Sequence, residues 1–145
     1  MFNPSQADVR NFFFDVYVKG SLNQQLTDLE KIAHEVIVKH PEYYDILANR
    51  EKYLEFKWLP EMGETNPFLH LSMHLTLIEQ LSIDQPHGIK QLFANMCLKT
   101  QDEHKSAHEF IDCLGEMLWQ AERNQTQPSM AVYFNCINKK LGNLT

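Results

Sequence analysis

The segment GETNPFLHLSMHL, residues 63–75, sets two histidines four positions apart behind a helix-start signal. Asn66-Pro67 reads as an N-cap followed by proline at the first helical position, where the missing N–H has no intrahelical partner to lose. At about 100° of helix per residue, His70 and His74 then share a face with Met73, Leu77 and Leu81. Both imidazoles are therefore expected to point toward a core, on a helix ending near Leu81.

Working outward, the punctuation is helical throughout. Asn3-Pro4 opens a first helix and Gly20 closes it. Thr27 to Glu30 is a capping box for a second helix, with Leu29, Ile32, Ala33, Val36 and Ile37 on one face. His40-Pro41 ends that helix and starts a short one to about Ala48. Residues 51–66 hold aromatics, acids, Pro60 and Gly63 and read as an irregular connection. Gln85-Pro86 begins a helix to about Leu98. Thr100 to Glu103, a second capping box, opens the longest helix, to about Arg123. Thr126-Gln127-Pro128 begins the last, which Gly142 terminates. No extended alternation of β-branched residues appears. The expected fold is all-α, a single-domain helical bundle of six to seven helices over residues 1–145.

Composition narrows the function classes. A chain of 145 residues, 43% hydrophobic and 22% charged, is long enough and apolar enough for one core. No apolar run approaches the 18 or so residues that span a bilayer. The start MFNPSQADVR has no basic stretch followed by an apolar one, so a cytoplasmic location is expected. A net charge of −6, with Lys139-Lys140 as the strongest basic pair, argues against nucleic acid and against membrane surfaces. A protein or a small molecule is the expected partner. Cys97, Cys113 and Cys136 are odd in number and far apart, and are expected to be small buried thiols in a reducing compartment.

The histidines carry the chemistry. Seven histidines placed at random in such a chain give about 0.3 pairs at i,i+4, the spacing that puts two side chains on one helix face. This chain has two, His70/His74 and His104/His108. In the long helix the apolar stripe is Ala107, Phe110, Ile111, Leu114, Met117, Leu118 and Ala121. His104 lies at one edge of it, His108 just outside, and Glu103 within it. Buried imidazoles need a hydrogen-bond partner or a metal, and bundles build metal sites from facing helices. His70, His74, His104 and His108 are therefore the candidate ligands, for zinc or non-haem iron, with manganese a further option. Glu103 is the candidate general base for a hydrolase or transferase using metal-activated water. Separate, hydrogen-bonded structural histidines are the competing reading.

Other residues are read more plainly. Glu30/His34 suits a surface ion pair, His40 a cap at a helix junction, and Trp58 and Trp119 packing. The segment from Tyr53 to Asn66 is either a lid over the bundle or, through Phe56, Trp58 and Met62, the contact surface of a non-catalytic adaptor module. HExxH, ExxH, GxGxxG and GxSxG are all absent, which argues against zincins, ferritin-like di-iron sites, nucleotide-binding loops and serine hydrolases.

The strings MFNPSQADVRNFFFDVY, KHPEYYDIL, ETNPFLHLSMHLTLIEQLSIDQPHGI and CLGEMLWQAER resemble a family of small bacterial proteins, the domain of unknown function 1841. The resemblance spans nearly the whole chain and is most specific in NPFLHLSMHL and EQLSIDQP. The chain departs from the family pattern at Tyr44, where histidine is frequent, and at His87, where proline is frequent, which argues against either as a ligand. The resemblance implies a bacterial, cytoplasmic, one-domain protein and implies no activity.

Overall fold

The computed structural model describes residues 5–59, 62–63 and 65–143. Among these there are eight α-helices and one 3-10 turn, and no strand: α1 (Gln6–Ser21), α2 (Asp28–Val38), the turn Pro41–Tyr43, α3 (Tyr44–Leu47), α4 (Arg50–Tyr53), α5 (Pro67–Ile83), α6 (Ile89–Thr100), α7 (Glu103–Asn124) and α8 (Met130–Leu141). The chain divides into two compact units, residues 1–75 and 76–145, and α5 runs through the boundary.

Local chemistry sets the helix ends. Asn3 and Pro4 lie outside the described residues, and the N-cap of α1 is Ser5, in a capping box with Asp8. Thr27 and Glu30 form the expected box on α2. Asn66 Oδ1 accepts from the backbone N–H of Phe68 at 2.9 Å and opens α5. Two starts differ from the sequence reading. The α6 helix begins at Ile89 rather than Pro86, after Gly88 takes a left-handed φ of 94° that ends the preceding turn. The α7 cap is Asp102, whose carboxylate accepts from the N–H of Lys105 at 3.0 Å. Thr100 instead donates its hydroxyl to the Asp102 carbonyl at 2.9 Å. The extra helix relative to the expectation is α4, a single turn capped by Asn49 inside the connection read as irregular.

The first unit is built on aromatic packing. Phe13, Phe14, Val16, Ala33, Val36, Ile37, Leu47, Phe68 and Leu71 form its core. Burial of each large apolar side chain contributes about 1.5–3 kcal/mol. Phe68, in the first turn of α5, meets Phe14 at 5.2 Å and Trp58 at 5.8 Å between ring centroids, both edge to face. Through these contacts α1 and the segment after α4 fix the start of the helix that carries His70 and His74.

Arg10 completes this arrangement from the inside. Its guanidinium is buried, and one terminal nitrogen donates to the carbonyls of Tyr53, Leu54 and Phe56 at 3.0, 2.9 and 2.8 Å. The cation also lies 5.1 Å from the Trp58 ring and 5.2 Å from that of Phe68. Desolvation lowers its pKa from the ordinary arginine value. A backbone that would otherwise expose three carbonyls to a dry interior is thus held against α1. Tyr53, Leu54 and Trp58 thereby pack against the core of this unit.

In the second unit, α7 buries Phe110, Ile111, Cys113, Leu114 and Met117. The Phe110 ring packs edge to face on Phe93 of α6 at 5.2 Å and on Tyr133 of α8 at 6.4 Å. Tyr133 is fully buried and donates its hydroxyl to Gln80 Oε1 at 2.8 Å; burial raises its phenol pKa. Trp119, expected to pack, is 53% exposed, with Arg123 over its ring.

The cysteines also depart from expectation. Cys113 and Cys136 are joined as a disulfide between α7 and α8, and Cys97 is a free, half-buried thiol. The α7–α8 packing brings their Cα atoms to 5.5 Å, within bonding range. Their separation of 23 residues gave no hint of it in the sequence. No helix among the described residues is long and apolar enough to cross a membrane.

Candidate metal centre

The buried stripe of α2 runs Ala33, Val36, Ile37 and continues past the helix end to His40, which is 1% exposed. That is the i, i+3, i+4, i+7 pattern of a single helix face. Pro41 then stops the helix and keeps His40 at its edge. The His40 Nδ1 donates to the carbonyl of Val36 at 2.7 Å. A carbonyl only accepts, so Nδ1 carries the proton, and in neutral His40 the lone pair sits on Nε2. Tyr43 stacks face to face on the His40 ring, with centroids 5.5 Å apart and planes 4° from parallel. Its phenol pKa is raised by burial and, to a smaller extent, by the charge of Glu42, so the ring beside the histidines is neutral.

The first turns of α5 supply the other two imidazoles. His74 is buried and His70 half-buried, on a helix whose Leu71 and Leu77 are also buried. The Nε2 of His70 lies 3.2 Å from that of His40, and the Nε2 of His74 lies 3.2 Å from that of His70. The three rings meet edge to face, with centroids 4.6–5.0 Å apart. The ligand atoms of all three lie within 4.8 Å of one another.

This geometry matches a metal better than a hydrogen-bond chain. An imidazole Nε2 holds a proton or a lone pair, never both. With His40 presenting a lone pair, a chain through His70 would have to share one proton between two acceptors. A cation accepts all three lone pairs at once. Two nitrogens about 3.2 Å apart, each about 2.0–2.1 Å from an ion, subtend close to the tetrahedral angle at it. For an ion held there, the Val36 carbonyl would be the outer partner that fixes the tautomer and orientation of His40.

The sequence-derived residues fare unequally. His70 and His74 come together as expected. His40, read only as a junction cap, joins them; the continuation of the α2 stripe was the signal that identifies it. His104 and His108 are half-buried neighbours on α7, with ring centroids 4.2 Å apart. Glu103, read as part of the α7 stripe, is exposed in the first turn of that helix. The expected pairing of Glu30 with His34 is replaced: Glu30 receives Lys19 Nζ at 2.8 Å, and His34 packs against Gly20.

The family model for the domain of unknown function DUF1841 matches residues 5–139, nearly the whole chain. The protein belongs to that family. Every histidine of the two helical pairs, together with His40 and Glu103, falls within the matched region. No curated protein and no solved structure matches the chain.

Proposed function

We propose that this member of the DUF1841 family binds a divalent transition-metal ion through the Nε2 atoms of His40, His70 and His74. The observation that carries this reading is the pair of 3.2 Å contacts among three Nε2 atoms, one of them held as a lone pair by Val36.

The donor chemistry selects the ion. Among the described residues no cysteine, aspartate or glutamate joins the group. Neutral imidazoles suit zinc, copper(II) and nickel, whereas manganese and non-haem iron favour sites with carboxylates. Zinc or copper(II) is therefore the ion of choice, which narrows the sequence-based set. Three imidazoles on a tetrahedral ion leave its fourth position open. Water in that position would have its pKa lowered toward neutrality by the ion, which is the chemistry of a metal-dependent hydrolase or transferase.

The test is metal analysis by mass spectrometry of untagged protein, as purified and after reconstitution with zinc and with copper(II). Near-stoichiometric metal in the wild type, lost in His40→Ala and in His74→Ala, is expected. Absence of metal after reconstitution overturns the reading.

A further inference from the structure

The Cys113–Cys136 bond offers its two sulfurs very unequally. Cys113 is fully buried under α7, whereas Cys136 is half-buried and lines a surface cavity of about 650 Å³ between α7 and α8. That volume lies within the range of small-molecule sites, about 300–1,000 Å³. Its walls carry two carboxylates, Asp112 and Glu116 on α7, and two ammonium groups, Lys139 and Lys140 on α8. Lys140 is drawn to the α7 side, with Nζ 2.6 Å from Glu109 and 3.5 Å from Asp112. The charge on the walls is therefore balanced and split by helix, carboxylates on one side and ammonium groups on the other.

We propose that this cavity is a thiol–disulfide exchange site in which Cys136 is the exchanging sulfur, Cys113 the resolving sulfur, and the incoming reagent a small zwitterionic peptide thiol. Such a thiol sets its carboxylates against Lys139 and its ammonium against Glu116 while its sulfur reaches Cys136. The incoming thiolate attacks Cys136 Sγ in line with the S–S bond. A new S–S bond forms to Cys136, and the electron pair of the old one goes to Cys113 Sγ, which takes up the proton that the incoming thiol gave up. No net oxidation occurs in this step. Recovery is the reverse attack by the Cys113 thiolate on Cys136, which expels the peptide thiol. A second peptide thiol can instead attack the mixed disulfide at the peptide sulfur. That releases the oxidised peptide and leaves Cys113 and Cys136 as two thiols, a two-electron reduction of the protein. Cys113 stays within bonding reach of Cys136, so its return attack keeps the mixed disulfide short-lived in the wild type, and the adduct persists only when Cys113 is removed.

Glutathione, reduced and oxidised, is the probe, with intact mass and peptide mapping as the readout. Native wild-type protein is expected to contain the intramolecular disulfide. Cys113→Ser with oxidised glutathione is expected to accumulate a mixed disulfide mapped to Cys136, over any adduct at the free Cys97, while native Cys136→Ser stays unmodified at Cys113. Lys139→Glu in the Cys113→Ser background is expected to slow adduct formation several-fold for glutathione and to leave the rate with uncharged mercaptoethanol disulfide unchanged. Three free thiols in air-equilibrated wild type, where Cys97 alone is expected, an adduct at Cys113 in folded Cys136→Ser, or equal slowing for both disulfides overturns the proposal. Unchanged far-UV circular dichroism establishes that each variant is folded.

Discussion

His40 and Val36 are one helical turn apart, and the 2.7 Å bond from His40 Nδ1 to the Val36 carbonyl decides which nitrogen of His40 faces His70. A single backbone acceptor at the end of α2 thereby prepares a lone pair inside the core. The rest of the candidate centre, His70 and His74, comes from one face of α5. Its chemistry thus depends on a local bond and on a tertiary approach at once, and these can be perturbed separately.

Metal binding to the native state alone raises stability by mass action, about 2.7 kcal/mol at a free-ion concentration one hundred times Kd. Zinc is therefore expected to raise the melting temperature of the wild type in a concentration-dependent way. In His40→Ala and in His74→Ala that dependence should vanish. Thermal scans at several zinc concentrations check it, and an identical rise in the variants would exclude these residues as ligands.

Arg10 is a buried cation whose removal strands three carbonyls. Each buried polar group left without its partner costs about 1–3 kcal/mol. Arg10→Met should therefore lose on the order of 3 kcal/mol or more in urea unfolding, despite the similar length and the apolar character of the new side chain. The fluorescence of Trp58, which packs against the guanidinium, should report the release of residues 53–58. A variant as stable as the wild type would mean that the carbonyls find water or another donor.

Gly20 lies beneath the ring of His34, and a Cβ there would stand 2.3 Å from its Cδ2 and Nε2 atoms. The ring must swing away to admit it. Gly20→Ala gains helix propensity yet is expected to destabilise by about 1–2 kcal/mol through this overpacking. Gly20→Ala combined with His34→Ala should recover that loss. A double-mutant cycle by chemical denaturation measures the coupling, and additive effects would show that the ring yields without cost.

Glu30 provides the pH dependence with a defined sign. Its carboxyl is held below the usual value of 4.5 chiefly by the hydrogen bond from Lys19, with help from the Thr27 backbone N–H. A depressed folded-state pKa contributes stability that is fully present above the ordinary carboxyl value and is lost as pH falls through the lowered one. The wild type should thus lose stability below about pH 4.5 more steeply than Glu30→Gln. Stability curves from pH 3 to pH 7, run for both proteins, compare the acid limbs; parallel limbs would remove Glu30 from the account.

Much of the fold was legible because helix signals are local. The Thr27–Glu30 box, the Asn66-Pro67 start and the Gly142 stop each depend on residues within one turn, and each is found where the sequence places it. The face of α5 that carries His70 and His74 was legible for the same reason, since 3.6 residues per turn fixes which side chains share a side. Departures fall where local signals compete. Thr100 and Asp102 both can cap α7, and the carboxylate at Asp102 takes the N–H of Lys105. Pro86 could open α6, but Gly88 breaks the chain first.

What the sequence by itself determined is the helical character of the chain, the inward aim of His70 and His74 and its membership in the DUF1841 family. Only tertiary structure decided that His40, 30 residues before His70, completes the trio, and that Cys113 finds Cys136 across a separation of 23. The physical reason is the reach of the interactions. Backbone hydrogen bonds and caps act over three or four residues and leave their mark in the local pattern. Convergence of an imidazole from the end of α2 with two from α5 depends on how aromatic side chains such as Phe14, Trp58 and Phe68 pack. No spacing along the chain encodes that packing.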